Sequence, residues 1–352
     1  MSRKLQLIVF LAGLAIFAFL VHQAGVPGLI HSLKAARWAL LPAVLAWGCV
    51  YACNTVAWRQ LIDDNNGEPG IPWWRAYAIT VSSFALNYIT PMISLGGEPF
   101  RVAAAADYLG GPRAAGSVVS FRIVHTLGQL LFWLTAVPIA YVVVPKSARM
   151  TIALIVLCLV LLGITIVLLG LFRDGFVERA LDVLYRLPLL RRLARRLEPR
   201  RAALVAIDDR MCELYRHHRR RLFTAIAAEY IGRAIAMLEY FFIARALGLD
   251  VDYGTAFAIG AFSQLVSNMT FFIPFDVGTK EGGLFLIFKA LHLPSEMGVD
   301  TAIVSRLREM IWIAVGLSLM WVVRRRQPAD SPATTTPAPD TTSPSPAAHR
   351  RA

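Results

Sequence analysis

Charged residues are scarce in this chain: Asp, Glu, Lys and Arg make up 17% of its 352 residues, against about 25% in soluble domains. A wettable face is also missing over long stretches. Leu5–Val21, Thr151–Leu171 and Trp312–Val323 are apolar around the whole helical circumference, where a soluble chain of this length would show alternating or amphipathic patterns. These absences exclude a soluble globular protein, and no soluble domain of any size is expected. Cysteines number only four, and none stands at a metal-ligand spacing. Cys49 and Cys53 share a helical face, Cys158 lies in an apolar run and Cys212 in a basic segment, so all read as small packing residues. No nucleophile elbow, P-loop or His-Glu-x-x-His occurs. The chain therefore reads as a non-enzyme, with no catalytic residue, no cofactor and no metal.

What the chain has instead is apolar runs long enough to cross a bilayer, which takes about 20 helical residues at ~1.5 Å each. Six read as full spans: Leu5–Val21, Trp38–Ala57, Ala114–Val144, Met150–Phe172, Leu222–Leu247 and Asp300–Val323. The first follows Arg3-Lys4 without a clean cleavage site and reads as a retained start-transfer segment. Trp58-Arg59 reads as an interfacial anchor closing the second. The net charge of +13 does not point to nucleic acid, because the positive residues sit between spans, where the positive-inside bias puts them. Residues 173–221 hold fourteen Arg against seven acids, with interleaved apolar residues that suit an amphipathic helix lying on the membrane. Residues 327–352, rich in Pro, Thr and Ser, have too little apolar surface to fold. The domain reading is a membrane domain over 1–326, carrying the basic cytoplasmic loop 173–221, and then a disordered tail over 327–352.

Two apolar stretches are interrupted. The first breaks at Thr90-Pro91 and Leu95-Gly96-Gly97-Glu98-Pro99, the second from Pro274 to Glu281. The arms that follow, Pro99–Tyr108 and Gly282–His292, span only about 15 Å of helix, half a bilayer. A half-length helix entered through a glycine-rich break reads as the return arm of a re-entrant hairpin. With Arg3-Lys4 in the cytoplasm of a plasma-membrane protein, the basic loop and Arg324–Arg326 also fall inside. The turns Gly248–Asp252 and Leu293–Asp300, which lack Lys and Arg, fall outside. Both termini are then cytoplasmic; Lys34, Arg37, Lys146 and Arg149 are mild exceptions. The hairpins enter from opposite sides, and their residues correspond. Asn87, Pro91 and Glu98 match Asn268, Pro274 and Glu281, and Arg122 and Arg306 follow the glutamates by 24 and 25 positions. The expected fold is an all-α integral membrane protein with six transmembrane helices plus two re-entrant helical hairpins in an inverted repeat.

Helix starts held at mid-membrane present unpaired N–H groups and a partial positive charge, a setting that receives phosphate. The candidate binding set is Asn87, Pro91, Gly96, Gly97, Glu98, Arg101 and Arg122 in the first unit. In the second it is Asn268, Pro274, Gly278, Lys280, Glu281 and Arg306. Arginine's planar fork suits a phosphodiester. A structural reading stands beside this one. Glu98 and Glu281 sit in first turns where acids cap orphan amides, Arg122 can snorkel to the surface, and Arg306 can pair with Glu309. Glu229 and Arg233, four apart, read as a mutual pair, and His125 as a packed or hydrogen-bonded histidine rather than a proton relay.

The segment Ser83–Arg101 (SFALNYITPMISLGGEPFR) with Ser120-Phe121-Arg122, and Gly278-Thr279-Lys280-Glu281-Gly282 with Ser305-Arg306, resemble the lysylphosphatidylglycerol synthase transmembrane-region family. The resemblance runs over roughly residues 1–326. It implies a flippase-like membrane region in a short form, the translocase half without the aminoacyl-transferase domain, acting on a membrane phospholipid or lipid-linked substrate. A partner lipid synthase is compatible with it, and it does not fix cargo or oligomeric state. The leading reading is a lipid translocase. The alternatives are a proton- or ion-coupled transporter of a small polar solute, using Glu98 and Glu281, and a non-transporting accessory protein of lipid or envelope synthesis.

Ending the chain after Arg326 should leave membrane insertion and activity intact, because residues 327–352 offer no apolar surface to dock. Failure of the shortened protein to insert or fold, judged by detergent-solubilised yield and gel filtration, would contradict the tail assignment.

Overall fold

A computed structural model describes residues 26–62, 70–89, 96–174, 218–270 and 278–325, with the isolated positions 205 and 276. The expected first span Leu5–Val21, most of the basic loop, the tail, Pro91 and Pro274 lie outside the described residues. Among the described residues the regular structure is all helical, in nine helices. They are α1 (Val26–Ile62), α2 (Trp73–Ile89), α3 (Gly97–Leu109), α4 (Gly111–Val143), α5 (Ala148–Asp174), α6 (Arg219–Ala246), α7 (Tyr253–Met269), α8 (Thr279–Ala290) and α9 (Ser295–Arg325).

Three stretches are long and apolar enough to cross a membrane: Arg37–Ile62 of α1, Gly111–Val143 (α4) and Ala148–Gly170 of α5. Helices α6 and α9, at 28 and 31 residues, have the length but carry ionisable residues within their apolar stretches. The other four are short, α2 and α7 at 17 residues, α3 at 13 and α8 at 12. Both return arms start earlier than their sequence suggests, α3 by two residues and α8 by three. Pro99 is tolerated in the first turn of α3 because that turn has no intrahelical partner for its N–H. Pro42 and Pro138 lie inside α1 and α4, a placement that neighbouring helices tolerate in membrane proteins. Asp252 caps α7 by accepting from the Thr255 N–H at 2.8 Å, and hydrogen bonding by Thr255 holds its carboxyl below the usual carboxylate range.

Helix α1 runs along α6 in the most extensive contact; α2 packs on α9, α3 on α4, α8 on α9, and α7 on α4, α6 and α8. Helix α5 rests on α4 and presents Ile152, Ile155, Leu159, Ile166 and Val167 outward, as a lipid-facing helix does. Trp58 differs from its reading as an interfacial anchor. Helix α1 continues to Ile62 and Trp58 is fully buried, packed in a cluster with Ile71, Ala76 and Leu109. The polar end of its ring is satisfied there by Ser117, whose Oγ accepts from Nε1 at 3.3 Å.

Buried polar contacts tie the bundle together. The Glu239 carboxylate on α6 is fully buried. It accepts from Trp47 Nε1 at 2.6 Å, Ser305 Oγ at 2.5 Å, and Arg308 Nη2 and Nε at 2.8 and 3.1 Å. Arg308 is itself 2% exposed and stacks 3.9 Å above the Trp47 ring. One carboxylate thus fastens α6 to α1 and α9. Without the Glu239 charge, Arg308 keeps, among the described residues, only the longer contact to Glu309 at 3.5 Å. Glu239→Gln should therefore cost about 3–5 kcal/mol, while the double replacement Glu239→Leu with Arg308→Met should recover most of it. Thermal unfolding of the purified variants checks this; a double variant no better than the single would refute the pairing argument.

Candidate functional site

The first break leads into α3, whose start is fixed against α2 by close contact. The Gly97 N–H donates to Asn87 Oδ1 at 2.7 Å, and a Cβ on Gly97 would fall 2.1 Å from the Ser83 carbonyl oxygen, so only glycine fits. Gly96 precedes it as a bend. From there α3 delivers Glu98 and, one turn on, Arg101 into a cleft that α2 lines with Phe84 and Asn87, and α4 with Phe121, Arg122 and His125.

Arg101 is 4% exposed. Its guanidinium carbon lies 4.5 Å from the Phe121 ring centroid, 4.8 Å from Trp58 and 5.9 Å from Phe84. No carboxylate among the described residues is within ion-pair reach of it, and its Nε has no hydrogen-bond partner. Three ring faces offset part of the cost of burying a cation, about 0.5–2 kcal/mol each, but they accept no conventional hydrogen bond. Arg122 stands at the mouth, its side chain 54% exposed, with one bond of 3.2 Å to Glu98 Oε1; the other oxygen, Oε2, is buried without a partner. At the inner wall His125 Nδ1 meets Glu229 Oε2 at 2.7 Å. Glu229 is fully buried and also accepts from Asn54 Nδ2 at 2.9 Å. Arg233 lies 3.7 Å from Glu229 and donates to the His125 carbonyl at 2.9 Å. The space open to a water-sized sphere is about 20 Å³, room for one or two waters.

The second break is built differently. Gly278 has φ +77°, the left-handed region that glycine enters without strain. Its N–H donates to Glu281 Oε2 at 3.0 Å, closing the start of α8. Arg306 grips Glu281 with both Nε and Nη2, and Nη2 also donates to the Asp276 carbonyl at 2.9 Å. Lys280, 7% exposed, donates to Ser305 Oγ at 2.9 Å and Glu309 Oε1 at 2.5 Å. Here every cation of the candidate set already holds a carboxylate.

The candidate residues thus fall into two groups. Asn87, Gly97, Glu98, Arg101 and Arg122 meet at the cleft, and Gly278, Lys280, Glu281 and Arg306 meet at the start of α8. Asn268 joins neither, since it donates to Gln264 on its own helix at 2.7 Å. The pairing of Arg306 with Glu309 gives way to Arg306 with Glu281, because α8 brings Glu281 closer than the next turn of α9. Glu281 both caps its helix and pairs. Glu229 does meet Arg233, but its nearest partners are His125 and Asn54. His125 and Glu229 line or wall the cleft although neither stands among the candidates. Their one sequence signal is an acid inside an apolar run with a histidine inside another.

The family model described as Lysylphosphatidylglycerol synthase TM region matches residues 5–318, and the chain belongs to that family. It is a multi-pass membrane protein. No curated protein and no solved structure matches it.

The two glutamates should respond differently to loss of charge. Glu281→Gln takes away the carboxylate that the 6%-exposed Arg306 grips, and should cost about 3 kcal/mol. Glu98→Gln releases only the exposed Arg122 and should cost less than about 1 kcal/mol. Equal losses in thermal unfolding would show that the two breaks are held alike.

Proposed function

We propose that this family member is a lipid translocase, moving a phosphate-bearing or modified lipid across the plasma membrane without altering it chemically. A mismatch of charge between the two halves carries the reading. Around the cleft, Arg101, Arg122 and Arg233 face Glu98 and Glu229 and no other carboxylate among the described residues. In the second half, Lys280, Arg306 and Arg308 meet Glu239, Glu281 and Glu309, with Asp276 beside Arg306. Among the described residues the surplus cation is therefore in the first half. Residues 90–95, at the break itself, contain no ionisable side chain to neutralise it. A buried guanidinium boxed by aromatic rings and lacking an anion suits a phosphodiester that brings its own charge. The acyl chains would stay in lipid while only the headgroup enters. The present opening is too small for a phosphate, so α3 and α4 must part, and the Glu98–Arg122 pair that spans that seam is exposed to water at Arg122.

The reading includes an architecture of six transmembrane helices and two re-entrant hairpins in an inverted repeat. Helix packing supports it. Exchanging α1 with α6, α2 with α7, α3 with α8 and α4 with α9 turns every substantial contact, except that of α4 with α5, into another observed one. Thus α2 on α9 becomes α7 on α4, α3 on α4 becomes α8 on α9, and α1 on α6 maps onto itself. The pairs Glu98–Arg122 and Glu281–Arg306 follow the same exchange. On this reading both termini are cytoplasmic.

Two experiments test the proposal. Arg101→Met removes a buried charge that meets no carboxylate among the described residues, so it should leave thermal stability equal or raised. The same change should lower lipid exchange in proteoliposomes at least tenfold. A loss of stability with normal exchange would make Arg101 a structural residue, and transport of small solutes without lipid exchange would overturn the translocase reading. For the architecture, single cysteines at residues 109–113 and 293–299, in a background without the native ones, should react with an impermeant reagent from opposite sides of the membrane. Labelling from one side would remove the inverted repeat.

A further inference from the structure

The translocase reading leaves a buried titratable pair at the inner wall of the cleft without a task. We propose that His125 and Glu229 form a proton-binding site linked to the cleft, so that a headgroup anion seated at Arg101 and one proton bind together. This rests on the cleft being the headgroup site.

The placement carries the inference. His125 is the member of the pair that reaches the cleft, its side chain 24% exposed, while Glu229 behind it is 0% exposed. Arg101 and His125 flank one ring: the guanidinium carbon is 4.5 Å and the imidazole centroid 5.7 Å from the Phe121 centroid. The two groups are therefore no more than about 10 Å apart, close enough for the charge of an anion on Arg101 to act on His125. The surrounding ionisable groups come from four helices. Helix α3 supplies Arg101 and Glu98, α4 itself Arg122, α6 Glu229 and Arg233, and α1 Cys53 together with the neutral amide of Asn54. Helix α2 brings the Phe84 ring, 6.3 Å from His125, and α7 the amide of Gln264, bonded to Gln129. With the cleft empty, three arginines oppose a further positive charge on the ring. An anion at Arg101 cancels one of them and favours the protonated pair. By linkage the proton must then favour the anion by the same factor. The proton belongs to the pair, and neither residue titrates alone.

A short-chain phosphatidylglycerol is a suitable probe, because its phosphodiester does not titrate near neutral pH. Binding it to the purified full-length protein in weakly buffered detergent solution should take up close to one proton, read with a pH indicator. Its Kd should rise up to tenfold per pH unit across the range in which the pair titrates. In His125→Gln the uptake should vanish, and the affinity should stay near the weak high-pH value at every pH. The uptake measurement on the parental protein requires no variant to fold. Binding that is independent of pH and takes up no proton would overturn the proposal while leaving the headgroup site standing. Uptake that persists in His125→Gln would also overturn it. No binding at any pH would sink the headgroup site and this inference with it.

Discussion

Two carboxylates on α6, Glu229 and Glu239, are fully buried ten residues apart. Taking an ionised side chain out of water costs several kcal/mol, so neither can be there without partners, and α6 supplies only one of them, Arg233. Glu239 draws Trp47 from α1 and Ser305 and Arg308 from α9; Glu229 draws Asn54 from α1 and His125 from α4. The register of α1, α4 and α9 against α6 is thus set by two oxygen pairs. Helices α3 and α8 are carried on α4 and α9, so the positions of both helix starts depend on the same carboxylates.

The two halves use that frame differently. Around α8 the ions form closed pairs, with Lys280, Arg306 and Arg308 6–7% exposed or less and each in contact with a carboxylate. Charges paired with carboxylates in this way resist being opened, since parting a buried pair leaves its charges less well compensated, although Arg308 Nη1 and Thr279 Oγ1 are themselves buried without a hydrogen bond. Around α3 the network is incomplete. Arg101 has aromatic faces in place of an anion, one oxygen of Glu98 is unpartnered, and the ion pair at the mouth is exposed to competing water. Buried polar groups are ordinarily satisfied, and a cluster of exceptions within one turn of α3 marks the place where a ligand can add hydrogen bonds that the protein lacks.

Much of this was legible in the sequence, for physical reasons that also explain what was not. The breaks could be read because glycine and proline interrupt helices locally, and Gly97 and Gly278 begin α3 and α8 as that rule implies. The spacings of 24 and 25 from glutamate to arginine could be read as a match, and both became ion pairs. What sequence could not supply is which arginine meets no carboxylate among the described residues. Lys280 and Arg101 look equivalent beside their breaks, and only the approach of α9, which brings Glu309 to Lys280, separates them. Trp58 misled for a related reason. An aromatic-basic pair after an apolar run marks an interface only where the helix leaves the bundle, and here α1 continues for another turn inside it.

The dimensions of the cleft bear on the kind of cargo. A carrier for a free solute encloses the whole molecule, and pockets that do so usually measure about 300–1,000 Å³. The space here is about 20 Å³, so enclosing a solute would require wholesale separation of helices that Glu229 and Glu239 hold in register. A lipid asks for less. Its chains remain in the bilayer, and only a phosphate group must pass between α3 and α4. These two helices are joined at the mouth by a single exposed ion pair, and the shorter of them is 13 residues long. Moving α3 leaves both α6 carboxylates and all three closed pairs around α8 intact. The same movement takes Arg101 away from its ring faces but parts no ion pair among the described residues except Glu98–Arg122, and that favours a headgroup over a free solute.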